Sequence, residues 1–202
     1  MVMNRAVFFD RDGVINSNVY YPDTKEWESP RTVKEFSVFP QVFKALRILS
    51  EQNYRLFLIS NQPSYAKGKT TLEDLNGIHE KLVASLKENA VQFCDFYYCY
   101  HHPEAVVAAY KKLCECRKPS PFFIREAQKK YRIDLELSWM FGDRATDIEC
   151  GRTAGVRTVL IKYKNSLVNC AADLVAEDLN EAVGMILSRD NAHRVKGAKT
   201  KI

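Results

Sequence analysis

The sequence predicts an α/β protein: one mostly parallel sheet with helices on both faces. Three observations predict it. Apolar runs of strand length alternate with segments whose apolar residues recur at helical spacing. Several of these runs end on acidic or small polar residues, as strands do when they deliver side chains to a crevice at their carboxyl ends. The 202 residues also show no internal repeat and no low-complexity tract, so alternation is the dominant pattern.

The elements follow in order. "RAVFFD" (5–10) reads as a buried strand. From Pro40 to Asn53 the apolar residues Val42, Ala45, Leu46 and Leu49 mark one face of a helix with Pro at its start. "YRLFLIS" (54–60) is a second buried strand. Thr70 to Glu73 has capping-box spacing and opens a helix whose inner face is Leu75, Ile78, Leu82 and Leu86. "FCDFYYCY" (93–100) reads as a short aromatic strand, Pro121 to Tyr131 as a helix, and "SWMFGD" (138–143) as a strand. Ala145 to Ala154 is helical with Gly155 as its stop. "VRTVLI" and "DLVA" are the last strands, and 178–188 the last helix. Residues 16–38 read as one long irregular connection, the kind that often serves as a lid or substrate loop. The result is a Rossmann-like domain over 1–190.

Composition narrows the function. The apolar and charged fractions, 46% and 27%, are those of an ordinary globular protein. No apolar run approaches the ~18 residues of a membrane span, and the N-terminus lacks a signal-peptide pattern, so a cytoplasmic monomer with no membrane partner is expected. The net charge is +5, but Arg194, Lys196, Lys199 and Lys201 crowd the last nine residues with no acid among them. Without that tail the body is nearly neutral, which speaks against a nucleic-acid partner. Residues 191–202 are expected to form a disordered basic tail.

The strand ends hold the chemistry. Asp10-Arg11-Asp12-Gly13 follows the first strand, Ser60-Asn61-Gln62 the second, and Gly142-Asp143-Arg144 the run at 138–143. Arg117-Lys118-Pro119 precedes a helix. A parallel sheet gathers these in one crevice: three carboxylates, a hydroxyl, an amide and several cations. Clustered carboxylates repel one another unless a cation binds them, and hard oxygen donors suit Mg²⁺. With a cation and a Lys to neutralise phosphate oxygens, a carboxylate can attack a phosphoryl group in line. A second carboxylate near the leaving oxygen can serve as general acid, then base.

"DRDG", "SNQ", "RKP" and "GDRATD", in this order, resemble the four motifs of the haloacid dehalogenase superfamily, spanning Asp10 to Asp147. The resemblance implies that Asp10 is the nucleophile that forms an aspartyl-phosphate and Asp12 the general acid/base. It implies that Ser60 and Lys118 bind the phosphoryl group. Asp143 would complete a Mg²⁺ site with the Asp10 carboxylate and the Asp12 main-chain carbonyl. Asn61 is a candidate substrate contact, and Arg144 is open between substrate contact and solvated surface. Asp147 reads as an acid in the first turn of its helix, favoured there by the dipole.

Six cysteines remain. Cys94, Cys150 and Cys170 are scattered and read as small packed groups. Cys99, Cys114 and Cys116 lie near His101 and His102 in sequence, and three thiolates with one imidazole suffice for structural zinc. A redox pair or unrelated thiols are the competing readings. "CYHHP" with "CECRKP" resembles the small-capped histidinol-phosphate and heptose-bisphosphate phosphatase branch of the superfamily. That resemblance implies zinc on Cys99, His101, Cys114 and Cys116, ordering a loop that runs into Arg117 and Lys118. It implies a minimal cap and a small phosphate ester as substrate, with Arg117 meeting its anionic or hydroxyl groups. The heptose 1,7-bisphosphate phosphatases resemble the chain best; histidinol-phosphate phosphatase is the nearest rival, and a non-catalytic sugar-phosphate-binding protein the alternative from another class. The chain departs from the branch at Pro63-Ser64-Tyr65, at Arg144 in place of the usual Lys, and in the Tyr-, Trp- and Pro-rich stretch 16–35.

Overall fold

The computed structural model describes residues 3–163 and 169–199, with side chains described through Asp190. Its centre is β1 (Ala6–Phe9), all four residues of which are inaccessible to solvent. β4 (Arg55–Asn61) lies on one side of it and β6 (Trp139–Gly142) on the other, both parallel. β5 (Asp95–Cys99) extends the sheet beyond β4, while β7 (Arg157–Ile161) and β8 (Leu174–Ala176) extend it beyond β6. The order β5-β4-β1-β6-β7-β8 is parallel throughout. Because the chain leaves β1 for one side and later returns to the other, the carboxyl end of β1 is a topological switch point, where such sheets form their crevice.

Period-2 alternation assigns the two faces. Val7 and Phe9 of β1, Leu56 and Leu58 of β4, and Trp139 and Phe141 of β6 join one core. Leu46 and Leu49 of α1 (Val42–Glu51), Ile78 and Leu82 of α2 (Leu72–Glu88), and Ile186 of α5 (Leu179–Lys199) close it. Ala6, Phe8, Phe57, Ile59 and Met140 point the other way, against Ile124 and Ala127 of α3 (Phe122–Tyr131) and Cys150 and Ala154 of α4 (Ala145–Ala154). A strand covered on both faces has no polar side to show, which is why these runs read as continuous apolar sequence.

Three expectations are corrected. Residues 16–38 are not irregular throughout: β2 (Val19–Tyr21) and β3 (Glu26–Glu28) pair antiparallel. Three-residue strands are too short to show a period, and the turn carries Lys25 rather than glycine at its left-handed position, φ 57°. The cap of α2 sits one residue later than its spacing suggests: the Thr71 hydroxyl accepts the Asp74 N–H at 3.0 Å. The last helix continues past 188 to Lys199, through much of the stretch expected to be a disordered tail. The stretch lacks proline, and Ala192, Arg194, Lys196, Ala198 and Lys199 are good helix formers that outnumber Gly197. None of the helices is long and apolar enough to cross a membrane, among the described residues.

Candidate active site and cysteine cluster

Asp10 stands immediately beyond β1, and its N–H donates to the Phe141 carbonyl at 2.9 Å, which fixes it beside the end of β6. The next residues turn sharply, with the N–H groups of Ile15 and Asn16 donating to the Arg11 carbonyl. Gly13 makes the turn possible. Its φ is +85°, and a Cβ there would lie 2.3 Å from Asp143 Oδ2. Without a side chain at Gly13, the carboxylate beyond β6 can approach the turn beyond β1.

Lys118 enters from the other direction. It is 3% exposed, and its three ammonium protons have three acceptors: Asp10 Oδ1 at 2.7 Å, Asp147 Oδ1 at 2.6 Å and the Ile59 carbonyl at 2.8 Å. Burial alone would lower its pKa, but the two carboxylates more than reverse this and hold it above the ordinary lysine value. Asn61 clamps the backbone of Lys118, donating from Nδ2 to its carbonyl at 3.1 Å and accepting its N–H on Oδ1 at 3.0 Å. The amide expected to contact substrate therefore also positions the lysine.

Asp10, Asp143 and Asp147 bring one carboxylate oxygen each within 4.8 Å of the others, all buried. Burial first, then Asp10 and Asp147, push Asp143 up to about 8. Its Oδ1 is buried without a hydrogen-bond partner. Asp147 is different: Oδ1 serves Lys118, and Oδ2 accepts the Arg144 N–H at 3.0 Å, capping α4. The dipole reading of Asp147 was incomplete, because its pairing with Lys118 spans 29 positions and leaves no local signal. Gly142 makes room for it, since a Cβ there would meet Asp147 Cβ at 2.1 Å. An orphaned oxygen among carboxylates, with oxygen donors only, fits a hard divalent cation.

Asp12 points into a separate network. Arg11 donates to it at 3.0 Å, Asn16 Nδ2 at 2.9 Å, Ser29 Oγ at 2.9 Å and Gln62 Nε2 at 2.5 Å. Burial would raise its pKa, but Arg11 and the three neutral donors bring it below the ordinary carboxylate value. Gln62 also donates to Ser60 Oγ at 3.0 Å, which ties the second strand-end motif to the first. The sequence reading did not assign Arg11, Asn16, Ser29 or Gln62 a role. Arg11 and Gln62 lie inside the motifs, and their burial (1% exposed each) was the missing signal.

A cleft of about 640 Å³ opens over these groups. Arg117, Arg144 and Asn61 line it, together with Lys67, Lys112 and His102. Arg117 donates to the His101 carbonyl at 3.4 Å.

The cysteine cluster lies at the end of β5 and on the loop before α3. Cys99, Cys114 and Cys116 have Sγ atoms 3.3–3.6 Å apart, and His101 Nδ1 is 3.4 Å from Cys116 Sγ and 3.9 Å from Cys99 Sγ. Zn–S bonds of ~2.3 Å at tetrahedral angles give ligand separations of about 3.7 Å, so the four atoms fit zinc. His102 turns away, its Nδ1 accepting the Glu104 N–H at 3.1 Å. Geometry thus separates the two histidines that spacing left equivalent.

Comparison with known proteins finds relatives over most of the chain. Residues 115–182 match a family model described as HAD-hyrolase-like. The chain is 32% identical over 188 residues to the D-glycero-beta-D-manno-heptose-1,7-bisphosphate 7-phosphatase of Yersinia pestis, covering 91% of this chain and 96% of the relative. It is 33% identical over 159 residues to the D-glycero-alpha-D-manno-heptose-1,7-bisphosphate 7-phosphatase of Photorhabdus laumondii, covering 78% and 82%. In fold it is similar to the crystal structure of D,D-heptose 1,7-bisphosphate phosphatase from B. bronchiseptica, complexed with magnesium and phosphate. The TM-score is 0.74 at 24% identity, over 92% of this chain and 99% of that one.

Proposed function

The chain belongs to the haloacid dehalogenase superfamily, in the branch of the heptose bisphosphate phosphatases, and on that premise we propose that it removes one phosphate from a sugar bisphosphate, most plainly a heptose 1,7-bisphosphate. The observation that carries the reading is the constellation around Lys118: an ammonium between Asp10 and Asp147, with the unpartnered Asp143 oxygen in the same buried cluster.

Asp10 is the nucleophile, attacking phosphorus as the ester bond to the sugar oxygen breaks. Asp12 gives a proton to the leaving oxygen from its protonated form, the minor one at neutral pH given its donors, and as a carboxylate then accepts one from the water that hydrolyses the aspartyl-phosphate. Lys118, fixed by Asn61 and Asp147, neutralises phosphate oxygens, with Ser60 as a further contact. Asp10, Asp143 and the Asp12 main-chain carbonyl would hold Mg²⁺, which when bound supplies positive charge against the carboxylates and the phosphoryl oxygens. Cys99, His101, Cys114 and Cys116 would hold a zinc that orders the loop leading to Arg117 and Lys118; four protein ligands leave it no open position for chemistry.

Charge around the cleft favours a bisphosphate. Arg117, Lys67 and Lys112 line it and suit a second anionic group beyond the reacting phosphate. The acids of the 16–35 stretch are what a cationic substrate such as histidinol phosphate would need. Two of them have cations already: Lys69 donates to Glu28 at 2.6 Å, and Arg31 pairs with both Glu28 and Asp23. The test is phosphate release with Mg²⁺ from heptose 1,7-bisphosphate, fructose 1,6-bisphosphate and histidinol phosphate, in the wild type and Arg117→Ala. The reading expects the heptose bisphosphate to have the highest kcat/KM, and Arg117→Ala to harm bisphosphates more than monophosphates. It fails if histidinol phosphate is best or if the two classes suffer equally.

A further inference from the structure

We infer that Ser29, at the end of the β2–β3 hairpin, is a positioning residue for the proton-transfer step, acting through Asp12. The inference rests on the phosphatase reading above and adds to it a group from outside the four motifs. Among the described residues, the side chains that donate to the Asp12 carboxylate are those of Arg11, Asn16, Ser29 and Gln62. They divide by oxygen. Oδ1 is held by Arg11 and by Asn16, both within the turn that follows β1. Oδ2 is held by Ser29 Oγ at 2.9 Å and by Gln62 Nε2, with a longer contact from Arg11 at 3.2 Å. Asp12, Ser29 and Asp10 line the same cleft.

Ser29 is the one of these donors that belongs to the hairpin segment, and the hairpin is anchored on both sides of it. Before it, Glu28 accepts from Lys69 at 2.6 Å. After it, Arg31 donates to Glu28 and Asp23 and lies 3.7 Å over the Tyr21 ring, and the Thr70 hydroxyl donates to the Arg31 carbonyl. Lys69 and Thr70 belong to the loop after β4, the strand whose end supplies Ser60 and Gln62. The hairpin and that loop therefore grip each other, and both reach Asp12 Oδ2, the hairpin through the Ser29 hydroxyl and the loop through Gln62. A carboxylate rotates readily about its Cβ–Cγ bond. Arg11 and Asn16 fix Oδ1, and Ser29 from the hairpin shares with Gln62 the direction of Oδ2. The reaction itself is as stated: the Asp10–phosphorus bond forms, the ester bond breaks and the leaving oxygen takes the proton of Asp12. Ser29 determines how well Asp12 is aimed at that oxygen.

A residue that aims a general acid matters most where the leaving group needs the proton. The experiment compares phenyl phosphate, a poor leaving group, with p-nitrophenyl phosphate, a good one, in the wild type, Ser29→Ala and Ser29→Thr. Ser29→Ala is expected to lower kcat/KM, which reports formation of the aspartyl-phosphate and not its hydrolysis, about tenfold for phenyl phosphate and about twofold or less for p-nitrophenyl phosphate. Ser29→Thr, which keeps the hydroxyl, should restore most of the phenyl phosphate rate. Equal losses of kcat/KM on both esters, no change at all, or a threonine variant as poor as the alanine one would each overturn the assignment. Wild-type turnover of either ester with Mg²⁺ tests the phosphatase reading separately, since the Ser29 result is a ratio between esters.

Discussion

Asp143→Asn should make the metal-free protein more stable while destroying its function. Asp143 is 6% exposed, faces Asp10 and Asp147, and leaves Oδ1 without a partner, so burial and its neighbours push its pKa up to about 8. In the unfolded chain the same group titrates near ~3.9. Folding at pH 7 therefore requires uptake of a proton across roughly three pH units, which at about 1.4 kcal/mol per unit costs about 4 kcal/mol. Local relaxation reduces this, and about 2–4 kcal/mol is the working figure. Because the folded pKa is raised, the stability is full below the unfolded value near pH ~4, falls as pH rises, and levels off above about 8. An amide does not titrate and escapes this loss. Thermal melts in a chelator should then give Asp143→Asn a Tm close to the wild type at pH 4, and higher by about 5–10 °C at pH 7–8, at ~2–4 °C per kcal/mol for a domain of this size. Added Mg²⁺ should reverse the order, since only the wild type gains by binding it. A variant less stable than wild type in chelator at pH 7–8, or a difference that does not change with pH, would refute the reasoning.

Asp10→Asn should abolish turnover with the fold intact, because an amide is neither nucleophile nor anionic ligand; loss of a covalent nucleophile costs several powers of ten, so a residual rate above about a hundredth of wild type removes Asp10 from the role. Elemental analysis should find about one zinc per chain, and Cys116→Ser should lower the zinc content, stability and activity together, because the loop it ties down carries Arg117 and Lys118. Protein without zinc, or with iron in its place, would count against the four-ligand site.

The parts of this fold that could be read from sequence are those where one physical demand dominates. β1, β4 and β6 are covered on both faces and had to be apolar throughout; α1 and α2 are covered on one face and had to be periodic. The β2–β3 hairpin meets no such demand. Its strands are three residues long, Tyr20 and Trp27 remain about half exposed against each other, and ion pairs through Glu28 and Arg31 hold it down. Long-range ion pairs leave no period. The Thr71 cap shows the limit of spacing alone, since two adjacent threonines each had an acid three residues on, and only the backbone chose between them.

The site divides the same way. Asp10, Asp12, Lys118 and Asp143 stood out because charged groups at the ends of buried strands are costly to place unless the cost serves chemistry. Asp147 did not stand out, because a cheaper explanation was available and was true: its Oδ2 caps α4. Its Oδ1 holds Lys118, and nothing within the helix could show that. Gln62 was hidden for a related reason, and so was the second task of Asn61. A neutral amide at a strand end reads as ordinary punctuation or, for Asn61, as a substrate contact, yet Gln62 joins Ser60 to Asp12 and Asn61 fixes the Lys118 backbone. Catalytic groups are visible in a sequence because they are expensive where they sit. The groups that aim them are inexpensive, each satisfied by one or two hydrogen bonds, so they appear only once the strand ends are brought together. That is why a hydroxyl such as Ser29 could escape the motifs and still hold one oxygen of Asp12.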